Sequence, residues 1–106
     1  MEPIKLLSME NFKQAILKGV SLVDFTAPWC APCREQAPII HRLAEYFTGK
    51  ALIAEMNVDE NQETALTLGI HSIPTLVIFK NGRETQRFVG LQSQNVLRTA
   101  VEKMLT

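Results

Sequence analysis

The segment Trp29-Cys30-Ala31-Pro32-Cys33 holds the only two cysteines of a 106-residue chain. It lies between an apolar run, Leu22 to Phe25, and a helical pattern that continues to Phe47. A strand that empties into a helix through Cys-x-x-Cys puts the first sulfur at the helix N-terminus. Unpaired backbone N–H groups and the helix dipole stabilise negative charge there. The thiolate is the reactive form of cysteine, so Cys30 is placed as a nucleophile. Cys33, one turn further on, is within reach of a mixed disulfide on Cys30. This spacing suits thiol–disulfide exchange. A zinc site is one alternative: the motif offers two of the four ligands structural zinc takes, and His41 and His71 are the only histidines. Inert structural cysteines are another.

Asp24 is the second residue with chemical potential. A carboxylate in the middle of an apolar strand is costly unless it is paired or protonated. Burial raises its pKa. Beside a dithiol, such a carboxyl can take the proton from Cys33 as that thiol attacks, through a water. The alternative is an aspartate at the strand end making a local hydrogen bond. Trp29, the only tryptophan, is next to the nucleophile and reads either as core packing or as part of a binding surface.

The elements that must position these residues follow from periodicity. Ile4 to Leu7 is a short apolar run. Ser8 resembles an N-cap for a helix with Met9, Phe12, Ala15 and Ile16 on one face, ended by Gly19. Ser21 to Thr26 scarcely alternates, as expected of a strand buried on both faces. Cys30 to Phe47 is a long helix with Pro38 inside it, where a kink is expected, and Gly49 closes it. Ala51 to Val58 is a second buried strand, and Gln62 to Leu68 a short helix ended by Gly69. Thr75–Phe79 and Thr85–Val89 flank Lys80-Asn81-Gly82-Arg83, a strong hairpin signal in which Gly82 supplies positive φ. Val96, Leu97, Ala100, Val101, Met104 and Leu105 mark an amphipathic closing helix. The order β-α-β-α-β-α-β-β-α implies an α/β chain. Its mixed five-stranded sheet has parallel strands first, an antiparallel hairpin at the end, and four helices on its two faces.

Composition sets the outer bounds. The length fits one domain, residues 1–106, and 46% apolar residues suffice for a core. Eleven basic and eleven acidic residues cancel, so nothing favours nucleic acid or an anionic membrane surface. Two cysteines are too few for a disulfide-stapled secreted scaffold. Met1 to Ser8 lacks the layout of a signal peptide, and no apolar stretch is long enough to span a bilayer. The expectation is a soluble cytoplasmic protein.

Over essentially its whole length the chain resembles the thioredoxin family. The resemblance rests on Val23-Asp24-Phe25, on Trp29-Cys30-Ala31-Pro32-Cys33-Arg34, and on Pro38 five residues after Cys33. It continues through Asn57-Val58-Asp59, Ile73-Pro74-Thr75, Lys80-Asn81-Gly82 and Val89-Gly90. It implies the thioredoxin fold and a protein-disulfide reductase activity centred on a Cys30–Cys33 disulfide, with no bound cofactor and no metal. Its implied partners are a thioredoxin reductase, most simply a flavoprotein, and disulfide-containing target proteins; a monomer is expected. The resemblance favours the buried reading of Asp24. It also implies a cis Ile73–Pro74 bond against the dithiol, with the Ile73 backbone open to an extended substrate segment. Trp29, Ala31, Pro32, Ile73, Pro74 and Gly90 then border a substrate groove, joined by Leu91, in an apolar rim of low sequence preference. Asp59 is expected to accept the Trp29 indole N–H, and Gly90 to admit close backbone approach.

Three positions depart from the family pattern. Ala31 stands where glycine is common and should stiffen the turn. Arg34 replaces lysine and keeps its charge. Glu55 stands where many relatives carry lysine. Beside Asp24 it would oppose ionisation by like-charge repulsion, the two carboxyls titrating as a coupled pair; otherwise it faces solvent. His71, near the rim, could tune local charge or have no role. Two other functions fit the same fold: an oxidase or isomerase, and a binding or assembly subunit that does not use its thiols.

Overall fold

The computed structural model describes residues 5–106. Ile4, the expected first residue of the opening strand, lies outside the described residues, as does the first half of the Met1–Ser8 segment. The elements are β1 (Lys5–Leu7), α1 (Phe12–Ile16), β2 (Val20–Thr26), α2 (Ala31–Tyr46), β3 (Leu52–Asn57), α3 (Gln62–Thr67), β4 (Thr75–Lys80), β5 (Arg83–Val89) and α4 (Gln94–Leu105). They form one five-stranded sheet in the order β1-β3-β2-β4-β5. β3 runs parallel to both β1 and β2, whereas β4 is antiparallel to β2 and β5.

β2 is the central strand, and its side chains divide between two cores. Val20 and Leu22 pack with Ile53, Leu76 and Ile78 against Ile40, Leu43 and Phe47 of the α2 segment and Leu97 and Val101 of α4. Val23 and Phe25 face the other way, with Ala54, Met56, Val77 and Phe79, against Phe12 and Ile16 of α1. Six of the seven β2 residues are buried, which accounts for its missing alternation. Asp24 follows Leu22 by two, so it shares the face covered by α2.

The turns show why the chain folds this way. Asn81 and Gly82 both have positive φ, 52° and 87°, the backbone a two-residue type I′ hairpin needs. α3 ends with Ile70 N–H donating to Ala65 O at 2.9 Å and Gly69 N–H to Leu66 O at 3.0 Å. These two hydrogen bonds close a Schellman motif, with Gly69 in the left-handed region.

Three local expectations need correction. Ser8 does not cap α1: it precedes a turn, its N–H donates to Asn11 Oδ1, and the helix starts at Phe12 with Met9 exposed. Four residues of turn and cap carry the chain into a helix too short to keep Met9 on its apolar face. In α4, Val96 and Leu105 are also exposed, the buried face being Leu97, Ala100 and Val101. β5 begins at Arg83, two residues before the expected Thr85, and its first four residues are exposed because it is a sheet edge. α2 runs from Ala31 to Tyr46 with Pro38 inside it.

Candidate active site

The site is built where β2 gives way to α2. Cys30 is the N-cap residue of α2, with extended backbone (φ −91°, ψ 115°), and Pro32 occupies the first turn, where its missing N–H costs nothing. The Cys33 N–H points at Cys30 Sγ from 3.3 Å. The two cysteines are joined as a disulfide, their Cα atoms 5.2 Å apart. Cys30 keeps 6% of its surface in contact with solvent and Cys33 only 2%. An approaching target disulfide therefore meets Cys30 first, and negative charge on the Cys30 sulfur is stabilised by the helix terminus.

Across from Cys30 lies the loop before β4. The Ile73–Pro74 peptide is cis, and the Ile73 carbonyl oxygen sits 3.7 Å from Cys30 Sγ. Pro74 is buried and Ile73 half-buried, so Pro74 is not part of an exposed rim. Gly90 N–H donates to Pro74 O at 2.8 Å, tying the end of β5 to the same loop. A Cβ at Gly90 would meet nothing within 4 Å, so its own chain makes no close approach; the glycine is required by its φ of +93°.

Trp29 is 67% exposed and belongs to the surface, not the core. Its indole N–H donates to Asp59 Oδ2 at 2.7 Å. Asn57 Oδ1 accepts from the N–H groups of Asp59 and Glu60, at 2.8 and 3.2 Å, fixing the turn that carries Asp59. Ala31, Pro32 and Leu91 are exposed around the same opening. Arg34 turns its guanidinium back to Pro28 O at 3.0 Å, which binds α2 to the loop before Cys30.

Asp24 is wholly buried, and neither carboxyl oxygen has a hydrogen-bond partner. Burial, and secondarily the charge of Glu55, pushes its pKa up to about 8. The local-hydrogen-bond alternative therefore does not hold. Asp24 and Glu55 are directly opposed in the parallel β2–β3 register. The Glu55 side chain is only 17% exposed and reaches to 4.0 Å from His41 Nε2, so it does not simply turn outward. A cleft of about 320 Å³ is lined by Cys33, Arg34, Glu55 and Asn57 among others. Cys33 and Glu55 thus line one cleft, and Glu55 is the register partner of Asp24.

The two histidines are not near each other's work: His41 is on α2 beside Glu55, and the His71 imidazole lies near the site of Gly69. Among the described residues, no three His, Cys, Asp or Glu side chains gather into a metal site.

The family model for thioredoxin matches residues 3–103. This chain belongs to the thioredoxin family. It is 45% identical over 95 residues to a thioredoxin of Staphylococcus saprophyticus subsp. saprophyticus, covering 90% of this chain and 91% of that relative. It is 46% identical over 101 residues to one of Alicyclobacillus acidocaldarius subsp. acidocaldarius, covering 93% and 95%. The solved structure of a mutant thioredoxin from Halobacterium salinarum NRC-1 superposes with a TM-score of 0.90 at 32% identity, covering 97% of this chain and 91% of that one. Family and cysteine pair together make this chain a thiol–disulfide oxidoreductase.

One residue at the site escaped the sequence reading. Gln36 is wholly buried, with both ends of its amide bonded to the Gln92 backbone. Its signal was present: Cys33, Gln36, Ile40 and Leu43 recur at helical spacing on the buried face of α2, and a polar residue in that row requires a partner.

Proposed function

We propose that this chain works as a single-domain protein-disulfide reductase of the cytoplasm, re-reduced by a thioredoxin reductase. Cys30 thiolate attacks a target disulfide, breaking its S–S bond and forming a mixed disulfide. Cys33 then attacks Cys30, releasing the target as a dithiol and leaving the Cys30–Cys33 disulfide. The observation that carries this reading is the layered placement of the sulfurs: Cys30 at the helix N-cap with 6% of its surface exposed, Cys33 deeper with 2%.

Asp24 handles the Cys33 proton through an intervening water. In the disulfide form, with its pKa near 8, the carboxyl is protonated at neutral pH. It is then loaded to protonate Cys33 when a reductase opens the disulfide at Cys30. In the forward direction the carboxylate receives that proton back, as microscopic reversibility demands. Trp29, Pro32, Ile73, Pro74, Gly90 and Leu91 receive the target's extended segment, and Ala31 sets the stiffness of the turn. The centre needs no bound cofactor, and no described helix is long and apolar enough to cross a membrane. Targets are folded or flexible proteins with an accessible disulfide, met by a monomer.

The test is the equilibrium of the dithiol against glutathione and dithiothreitol buffers near pH 7. A potential well below the glutathione pool supports a reductase. A potential at or above it overturns the reading in favour of an oxidase or isomerase.

A further inference from the structure

The groove is bordered by three separate segments: the dithiol turn on α2, the Ile73–Pro74 loop and the Gly90–Gln92 loop. Hydrogen bonds link the second segment to the third and the third to the first, and a sulfur–oxygen contact closes the ring. Gly90 N–H holds Pro74 O at 2.8 Å. Gln36, one turn after Cys33, accepts the Gln92 N–H on Oε1 at 2.8 Å and donates from Nε2 to Gln92 O at 3.0 Å. The amide orientation is determined by this pairing, since a flip would set oxygen against oxygen and N–H against N–H. Gln92 Nε2 adds a long contact to Gly90 O at 3.4 Å. The Ile73 carbonyl beside Cys30 Sγ completes the circuit.

Gln36 is the sole member of this ring that is a wholly buried side chain, at 0% exposure. A buried amide is costly unless both its donor and acceptor are used. An aliphatic residue would pack equally well against Ile40 and Leu43 on that face, so core packing does not explain the choice. What the amide provides is a two-point, planar clamp on one backbone unit, which fixes orientation as well as distance.

We propose that Gln36 is a positioning residue that holds the Gly90–Gln92 loop at a set separation from the dithiol, and so determines how tightly an extended disulfide-bearing protein segment is gripped. It touches no sulfur and leaves the exchange chemistry itself alone. Its effect falls on protein substrates, which span the groove, and spares small disulfides, which need only Cys30. The inference rests on the reading that the Ile73–Pro74 and Gly90 segments receive the substrate.

The test uses the full chain with Gln36→Met, which keeps length and volume but removes the amide, and Gln36→Glu, which keeps an acceptor for the Gln92 N–H. Reduced protein is mixed with insulin, as the protein disulfide, or with 5,5′-dithiobis(2-nitrobenzoate), as the small one; with insulin, Trp29 fluorescence follows the reaction. Amide hydrogen exchange at Gln92 reports the clamp directly. For Gln36→Met we expect a KM for insulin raised about tenfold, an unchanged maximal rate, an unchanged rate with the small disulfide, and faster exchange at Gln92. Gln36→Glu should fall between Met and the parent. Faster exchange at Gln92 with an unaltered KM for insulin overturns the inference, as does an equal loss on both substrates. If the parent protein itself shows no saturation with insulin, the groove reading fails first, and the two failures are thereby told apart.

Discussion

The buried carboxyl of Asp24 makes the stability of this protein depend on pH in an unusual direction. Folded, the group titrates near 8; its ordinary value is 3.8. The folded state therefore holds the proton more tightly than the unfolded state. Between about pH 4 and pH 8 the unfolded chain has lost the proton and the folded chain has kept it, so stability falls as pH rises. The slope approaches about 1.4 kcal/mol per pH unit, and the loss sums to about 6 kcal/mol once pH exceeds 8. Against a total of about 5–15 kcal/mol for a small domain, that is a large fraction. Asp24→Asn removes the titration and leaves a buried amide whose cost does not vary with pH. Urea unfolding of the disulfide form, at pH 5, 7 and 9, measures both proteins; titrating groups that do not interact with Asp24 cancel in the difference, which leaves Asp24 and its coupling to Glu55. The variant should gain on the parent by several kcal/mol between pH 5 and pH 9. A difference constant within about 0.5 kcal/mol across that range would refute the assignment of a protonated, unpartnered Asp24.

Two further predictions concern its surroundings. Glu55→Gln removes the like charge that adds to burial in raising Asp24, so the pH–rate profile for reduction of a protein disulfide should move its Asp24 limb to lower pH. An unmoved limb would show that Glu55 does not act on Asp24. Asp59→Ala frees the indole N–H held at 2.7 Å on a mostly exposed ring. It should change Trp29 emission while shifting stability by no more than about 1 kcal/mol; an unchanged spectrum speaks against the bond.

The sheet and the dithiol were legible because both have short-range signatures. β2 reads as buried because six adjacent residues avoid alternation, and the hairpin reads from Asn81-Gly82, whose positive φ values a type I′ turn demands. The first helix was misread because an Asx-type side chain three residues on, Asn11, captured the Ser8 N–H and turned the chain before the helix began. That competition between local hydrogen bonds has no periodic trace. The partner of Gln36 lies 56 positions away, so a lone buried glutamine announces that a partner exists without naming it. The Asp24–Glu55 apposition depended on register, and a slip of one residue would have put Glu55 on the opposite face.

Among the described residues three buried polar side chains are satisfied by hydrogen bonds, whereas Ser21 and Asp24 on β2 are not, and of those two only Asp24 titrates. Asn61 is 6% exposed, and both ends of its side chain are used, accepting from Met9 N–H and donating to Asn57 O. Thr75 donates to Ser72 O just ahead of the cis peptide, and Gln36 clamps Gln92. Each of these returns in hydrogen bonds what burial removes. Asp24 has no hydrogen bond to set against its burial and faces a second carboxylate across the register. A fold selected for stability alone would place a valine or leucine there, as it does at the neighbouring positions Leu22 and Val23. The uncompensated carboxyl is kept on the face of β2 that α2 and its dithiol cover, where a group that holds a proton at neutral pH and releases it slightly above can serve a thiol that must lose and regain one in every cycle.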